Sequence, residues 1–230
     1  MSLQAVIFDL DGVLTDTAEL HYHTWQALAD AQGWRFDRDL NERLRGMLRR
    51  DSLEIILAAN GCSADETQIA AWLDYKNRLF LKQLDEITPA DLLPGVLPFL
   101  HELRAAGVRI ALGSGSQNAR SVLQRLGIAA LFDAVADGRS MARSKPAPDL
   151  FLLAANQLGV APAECVVIED ASAGVEAAQA AGMPVVGIGP VERLGRAADL
   201  RLDSTAGLSL QAVRRVLAAS DHGRASTSPA

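Results

Sequence analysis

After residue 89 the sequence settles into alternation of short apolar runs and helical patterns, and that alternation restricts the fold more than any other feature. "PGVLPFLHELRAAG" (94–107) has the turn, the periodicity and the closing glycine of a helix, and "VRIALGS" (108–114) reads as a strand. A helix is expected from about Asn118 to Gly127, a strand over "LFDAVAD" (131–137) and a helix over 147–159. A strand "CVVIED" (165–170), a helix over 172–182 and a strand "PVVGIG" (184–189) complete the series. Such an order implies a parallel sheet with helices on both faces. One earlier run, residues 4–9, is apolar enough for a strand buried on both sides, but only helical patterns fill residues 17–88. "DTAE" (16–19), "DSLE" (51–54) and "SADE" (63–66) each read as a helix start, and Gly33 and Gly61 as stops. The expected fold is α/β: a doubly wound, Rossmann-like parallel-sheet core from residues 1–16 and 89–218, with an all-helical cap domain inserted at 17–88. The end, residues 219–230, is small and polar and is expected to be a disordered tail.

In open parallel sheets, ligands bind beyond the carboxyl ends of the strands, so the residues just past each strand make up the inventory of a site. The first strand ends in Asp9-Leu10-Asp11-Gly12 and the second in Ser114-Gly115-Ser116-Gln117-Asn118. The loop after 137 delivers Lys145, and "CVVI" ends in Glu169-Asp170. Crowded carboxylates repel one another, and a hard divalent cation relieves this; Mg2+ characteristically takes one or two carboxylates plus substrate phosphate oxygen. Lysine and hydroxyl donors suit the remaining phosphate oxygens. Asp9 and Asp11, two apart in extended chain, can share one small site, and a carboxylate attacking phosphorus gives an aspartyl-phosphate. The fingerprints G-x-x-x-x-G-K-[ST], G-x-G-x-x-G and H-E-x-x-H are absent from the sequence.

"DLDGVLTDT", "GSGS", "SKPAPD" and "IEDASAG" resemble, in order, the four motifs of the haloacid dehalogenase superfamily of phosphotransferases. "TAELHYHTWQALA", "NERLRGMLRRDSL", "DYKNRLF" and "ITPADLLPG" extend the resemblance to the sugar-phosphate mutases within it. The resemblance implies interconversion of β-D-glucose 1-phosphate and glucose 6-phosphate through β-glucose 1,6-bisphosphate. Asp9 would carry the phosphoryl group and Asp11 would be the general acid/base. Mg2+ would be held by the Asp9 carboxylate, the Asp11 carbonyl and Asp170, with Glu169 in support. Ser114, with Gly115 beside it, and Lys145 would bind the transferring group; Thr17 and His21 match the hinge that aligns the acid/base. Arg49, with Ser116 and Asn118, would grip the phosphate that is not reacting, and Arg45, Gly46, Ser52 and Lys76 would line the sugar pocket. Two positions depart from that pattern: Gln117 and Arg45 each stand where it has lysine.

The residues themselves support a second anion subsite. "LRGMLRRDS" places Arg45, Arg49 and Arg50 just before a helix start expected near Asp51 or Ser52, and arginine suits bidentate phosphate contacts. Asp16 is expected to cap a helix, Arg50 and His23 to be solvated, and Trp25, Trp72, Phe80 and Phe151 to be core. The alternatives are a sugar-phosphate phosphatase of the same superfamily, which the neutral Gln117 favours, and a non-catalytic sugar-phosphate sensor, which would need no nucleophile.

Composition narrows the partners. A net charge of -6 gives no support to nucleic-acid binding, so an anionic substrate must be held by local donors. No stretch approaches the roughly 18 apolar residues of a membrane span, and no leader pattern precedes the first strand, so a cytoplasmic protein is expected. Cys62 and Cys165 lack ligand spacing and are expected to be buried thiols. The expected partner is a small phosphosugar, and closure of a cap, which needs free space, suggests a monomer.

Overall fold

The computed structural model describes residues 2–140, 143–195 and 197–225. Strand β1 (Ala5–Phe8) is followed by helices α1 (Ala18–Gln32), α2 (Arg38–Glu42), α3 (Arg49–Ala59) and α4 (Glu66–Leu84). Alternation then begins: α5 (Val96–Ala105), β2 (Arg109–Gly113), α6 (Ala119–Arg125), β3 (Ala134–Ala136), α7 (Asp149–Leu158) and β4 (Cys165–Glu169). It ends with α8 (Ser172–Ala180), β5 (Val185–Ile188), α9 (Val191–Leu194), β6 (Leu200–Leu202) and α10 (Leu210–Ala225). The strands form one parallel sheet in the order β3-β2-β1-β4-β5-β6, with Ala5 paired to both Arg109 and Cys165. The order reverses between β1 and β4, which makes their carboxyl ends the switch point of a doubly wound sheet.

Alternate residues of each strand face opposite sides. Val6, Phe8, Ile110, Leu112, Val166 and Ile168 join a core with α5, α6 and α10. Ala5, Ile7, Ala111, Val167 and Val185 join another with α7 and α8. Burial on both faces is why these strands read as continuous apolar runs. The four helices after β1 have a separate core built on Trp25, Leu28, Leu53, Ile56 and Ile69. The far end of α4, at Phe80 and Leu84, packs into the core of the sheet, and Leu20 of α1 packs against it.

Several expectations need correction. Helix α3 begins at Arg49, so Arg49, Arg50, Asp51 and Ser52 lie in its first turn and not before it; the Ser52 hydroxyl donates to the Leu48 carbonyl at 3.1 Å. The strand expected over 131–137 shrinks to Ala134–Ala136, because 129–131 form a 3-10 turn ahead of it. The tail expected from 219 is helical through Ala225 as the end of α10, whose first turns bury Val213, Val216 and Leu217; residues 226–230 lie outside those described. Cys62 is exposed in the turn after α3, while Cys165 is buried. Trp25, Phe80 and Phe151 are core, but Trp72 is only partly covered and meets the Trp34 ring edge-on at 4.7 Å. The sequence reading also missed α2, capped by Asp37, and both β6 and α10. No helix among the described residues is long and apolar enough to cross a membrane.

Candidate active site

The rigid strand β1 delivers Asp9 at its tip, and β4 delivers Glu169 and Asp170 beside it across the switch point. Gly12 makes the turn after Asp11 possible. Its φ of +75° favours glycine, and a Cβ there would stand 2.2 Å from Asp170 Oδ2. Lys145, fully buried, donates to Asp9 Oδ1 and to Glu169 Oε1, both at 2.6 Å. Glu169 Oε2 also accepts the backbone N–H of Asp170, at 2.5 Å, and of Ala171, at 2.8 Å. Asp170 meets two guanidinium groups: Arg45 Nη1 at 3.3 Å and Arg193 Nη1 at 3.5 Å.

Burial dominates the electrostatics here. It lifts the Asp9 carboxyl to about 6, with Glu169 adding to the rise and Lys145 opposing it. Burial, helped by the charges of Asp9 and Asp16, lifts Asp11 to about 7. Asp170 is raised well above the usual range by burial and by Glu169. Lys145 goes the other way. Burial would neutralise it, but its two carboxylate partners hold it above its ordinary value.

Asp9, Glu169 and Asp170 offer oxygen atoms within 4.8 Å of one another, all buried. Three carboxylates confined in this way, each an oxygen donor, fit a hard divalent cation such as Mg2+. The Asp11 carboxyl stands outside that cluster and accepts a hydrogen bond from the Thr17 hydroxyl. Asp16 is different again: its carboxylate accepts the Ala18 N–H at 3.0 Å, but the N-cap position of α1 is Thr17, which makes no side-chain cap bond, so Asp16 stands one residue ahead of the cap expected of it.

The helical insert forms the opposite wall. One pocket is lined by Asp9, Asp11 and Asp170, by Arg45, Gly46, Arg49, Ser52, His21 and Lys76 from the insert, and by Ser114, Gly115, Ser116 and Gln117. Lys76 is fully buried on α4, and its Nζ lies within hydrogen-bond distance of His21 Nδ1, at 2.9 Å. The Lys76 ammonium also lies 5.0 Å from the Trp25 ring centre and 4.9 Å from that of Phe80. No carboxylate pairs with Lys76 or Arg49 among the described residues. Burial and the Arg49 charge push Lys76 well below its ordinary value; burial, Lys76 and Arg49 do the same to His21.

The structure therefore gathers most of the sequence-derived site residues at one pocket, with Thr17, Lys145 and Glu169 bonded to groups in or just behind its wall. Asn118 is the exception. Its side-chain amide donates to Asn77 Oδ1 at 3.0 Å, because the turn after Ser114 carries it towards α4 and away from the pocket. Two contacts escaped the sequence reading. Ser144 bonds to Asp51 and accepts the Leu48 N–H at 2.8 Å, latching the insert to the loop that carries Lys145. Its place directly before Lys145 was the available signal. Arg193 on α9 reaches Asp170 from a segment with no motif to mark it.

Residues 3–182 match the family model for haloacid dehalogenase-like hydrolases. The chain is 44% identical over 211 residues to β-phosphoglucomutase of Bacillus subtilis, covering 91% of this chain and 93% of that one. It is 32% identical over 184 residues to a phosphorylated carbohydrates phosphatase of Thermotoga maritima, covering 79% and 82%. Its fold superposes on the crystal structure of β-phosphoglucomutase from Clostridium difficile with a TM-score of 0.92 at 39% identity, covering 96% of this chain and all of the other.

Proposed function

The chain belongs to the haloacid dehalogenase-like hydrolase family, and we propose that within it the protein is a phosphomutase interconverting β-D-glucose 1-phosphate and glucose 6-phosphate. What supports this reading is that one pocket brings Asp9, bonded to Lys145, together with Arg49, a guanidinium with no ion pair among the described residues, as two separate phosphate subsites would require. A mutase must hold a bisphosphate, turn it round and recapture it without admitting water. A phosphatase needs only the first subsite.

In the reaction, phospho-Asp9 gives its phosphoryl group to the 6-hydroxyl of β-glucose 1-phosphate. The bond from phosphorus to Asp9 breaks as the bond to the sugar oxygen forms, and Asp11 takes the hydroxyl proton. The 1,6-bisphosphate then turns over in the pocket. Asp9 takes back a phosphoryl group, now from the 1-oxygen, and Asp11 returns the proton to that oxygen. A group lifted to about 7 is suited to passing a proton both ways near neutral pH. The Thr17 hydroxyl orients it. Asp9, Glu169 and Asp170 would hold Mg2+, which when bound offsets the negative charge gathered around phosphorus. Lys145 and Ser114 would hold the transferring group, and Arg45, Gly46, Ser52 and Lys76 would face the sugar. Residues 17–88 would close as a cap over the core formed by 1–16 and 89–218, with the protein working as a monomer.

The test is a panel of phosphosugars with Mg2+ and a bisphosphate primer, scored for isomer and released phosphate together. Isomerisation of the β-anomer with little phosphate release is expected. The uncharged Gln117 in the pocket lining and the Thermotoga maritima relative favour the phosphatase as second reading, and phosphate release without isomer would establish it.

A further inference from the structure

Three loops meet at the rim of the pocket opposite Asp9, and glycines set how closely they pack. A Cβ on Gly115 would lie 3.1 Å from the carbonyl oxygens of Gly46 and Met47. A Cβ on Gly138 would lie 2.1 Å from the Gly115 carbonyl, and the Gly138 N–H donates to the Ser116 carbonyl at 3.3 Å. The segment after β3 is thus pressed against 115–117, which is pressed against the turn leading into α3. Arg139 follows Gly138 by one residue, and Arg49 follows Met47 by two.

Local bonds fix Arg139 in that position. Its backbone N–H donates to Asp137 Oδ1 at 3.0 Å, and the other Asp137 oxygen lies 3.5 Å from Arg120 Nε. The Asp137 carboxylate is thereby occupied, and the Arg139 guanidinium has no ion pair among the described residues. The same holds for Arg49, whose tendency to stay charged is lowered by burial and by Arg139 close by. Arg139 is exposed and stands outside the pocket lining, on the loop packed behind residues 115–117. Two unpaired guanidinium groups brought to the same rim repel, and an anion between them turns that repulsion into attraction. The 115–117 loop, against which the Arg139 loop packs, offers the pocket hydroxyl and amide groups at Ser116 and Gln117 but no charge of its own.

We propose that Arg139 is a further anion-binding residue of this pocket, holding with Arg49 the phosphate of a phosphosugar that is not being transferred. It supplies the positive charge that Gln117 lacks, from a different loop. The inference rests on the two-subsite reading of the pocket and adds a residue to its second subsite.

The test compares the native enzyme with Arg139→Ala, Arg139→Lys and the pair Arg139→Ala, Gln117→Lys, after thermal melts confirm that each is folded. KM for the phosphosugar is read beside hydrolysis of acetyl phosphate, which has no second phosphate. Loss of a charge-assisted contact should raise phosphosugar KM roughly tenfold in Arg139→Ala, well beyond any loss on acetyl phosphate. Arg139→Lys should keep most of the affinity, and Gln117→Lys should restore it to Arg139→Ala. An unchanged KM in Arg139→Ala, or a rise that Gln117→Lys does not reverse, would overturn the assignment. If the native enzyme released phosphate and made no isomer, the mutase reading would fail, while the same KM ratios, taken from phosphate release, would still decide the role of Arg139.

Discussion

The two walls of the pocket solve the problem of buried charge in opposite ways. On the sheet side, acids and cations interleave: Lys145 bridges Asp9 and Glu169, and Asp170 meets Arg193 and also Arg45, which reaches across from the insert. On the side of the helical insert, Lys76 and Arg49 have no ion pair among the described residues, Lys76 lies against His21, and Asp11 opposes the fall in its basicity only in part. The sheet side is compensated before any ligand arrives. The insert side stays electropositive within a protein of net charge -6, at a cost in stability that a bound anion offsets. On the proposed function, the first wall would carry the chemistry and the second would capture the substrate.

The largest effect should come from the nucleophile. Asp9→Asn should lower turnover by roughly 10^4-fold while phosphosugar still binds, measured by steady-state rates and calorimetric titration. Next come the two buried lysines, which should respond with opposite signs. Lys145→Met strands Asp9 and Glu169 and should cost about 3–5 kcal/mol of unfolding free energy in urea titration. Lys76→Met removes an uncompensated cation from between Trp25 and Phe80 and should stabilise the fold by about 1–2 kcal/mol while raising phosphosugar KM. Equal destabilisation by both would erase the distinction between the walls.

The pH dependence sharpens the same contrast. A base whose folded pKa is depressed binds fewer protons folded than unfolded, so stability falls as pH drops below its ordinary value. For Lys76 that value is 10.5, and for His21 it is 6.5. Stability of the native protein should therefore decline from pH 10.5 downwards through a Lys76 contribution, with a further decline below 6.5 from His21. Denaturant titrations across this range should show the first component vanish in Lys76→Met. The smallest effect belongs to the joint between the walls: Asp16→Ala removes the carboxylate that accepts the Ala18 N–H at the start of α1 and should cost about 0.5 kcal/mol in the same titrations.

Much of this was legible in the sequence where local pattern and chemistry coincide. Strands buried on both faces are continuous apolar runs, so their ends could be counted, and Asp9, Ser114, Lys145 and Asp170 stood at them. Features that depend on tertiary contact were not legible. Nothing local turns Asn118 towards Asn77, and the cap-like "DSLE" masked a start of α3 at Arg49. The segment carrying Arg193 has no motif, yet the fold sets it against Asp170. The polar end of the chain read as a tail because the apolar face of α10 lies upstream, at Val213, Val216 and Leu217. The sequence named Lys76 correctly as a pocket residue but could not reveal that it lacks a carboxylate partner.

The most direct test of the central claim, that the insert wall supplies a second phosphate subsite, is the ratio of isomer formed to phosphate released in Arg49→Ala. Both products are followed in one phosphorus NMR time course with β-glucose 1-phosphate, Mg2+ and a bisphosphate primer. The ratio should fall at least roughly tenfold below that of the native enzyme, because recapture of the turned bisphosphate is lost while chemistry at Asp9 survives. A ratio equal to that of the native enzyme would contradict the claim.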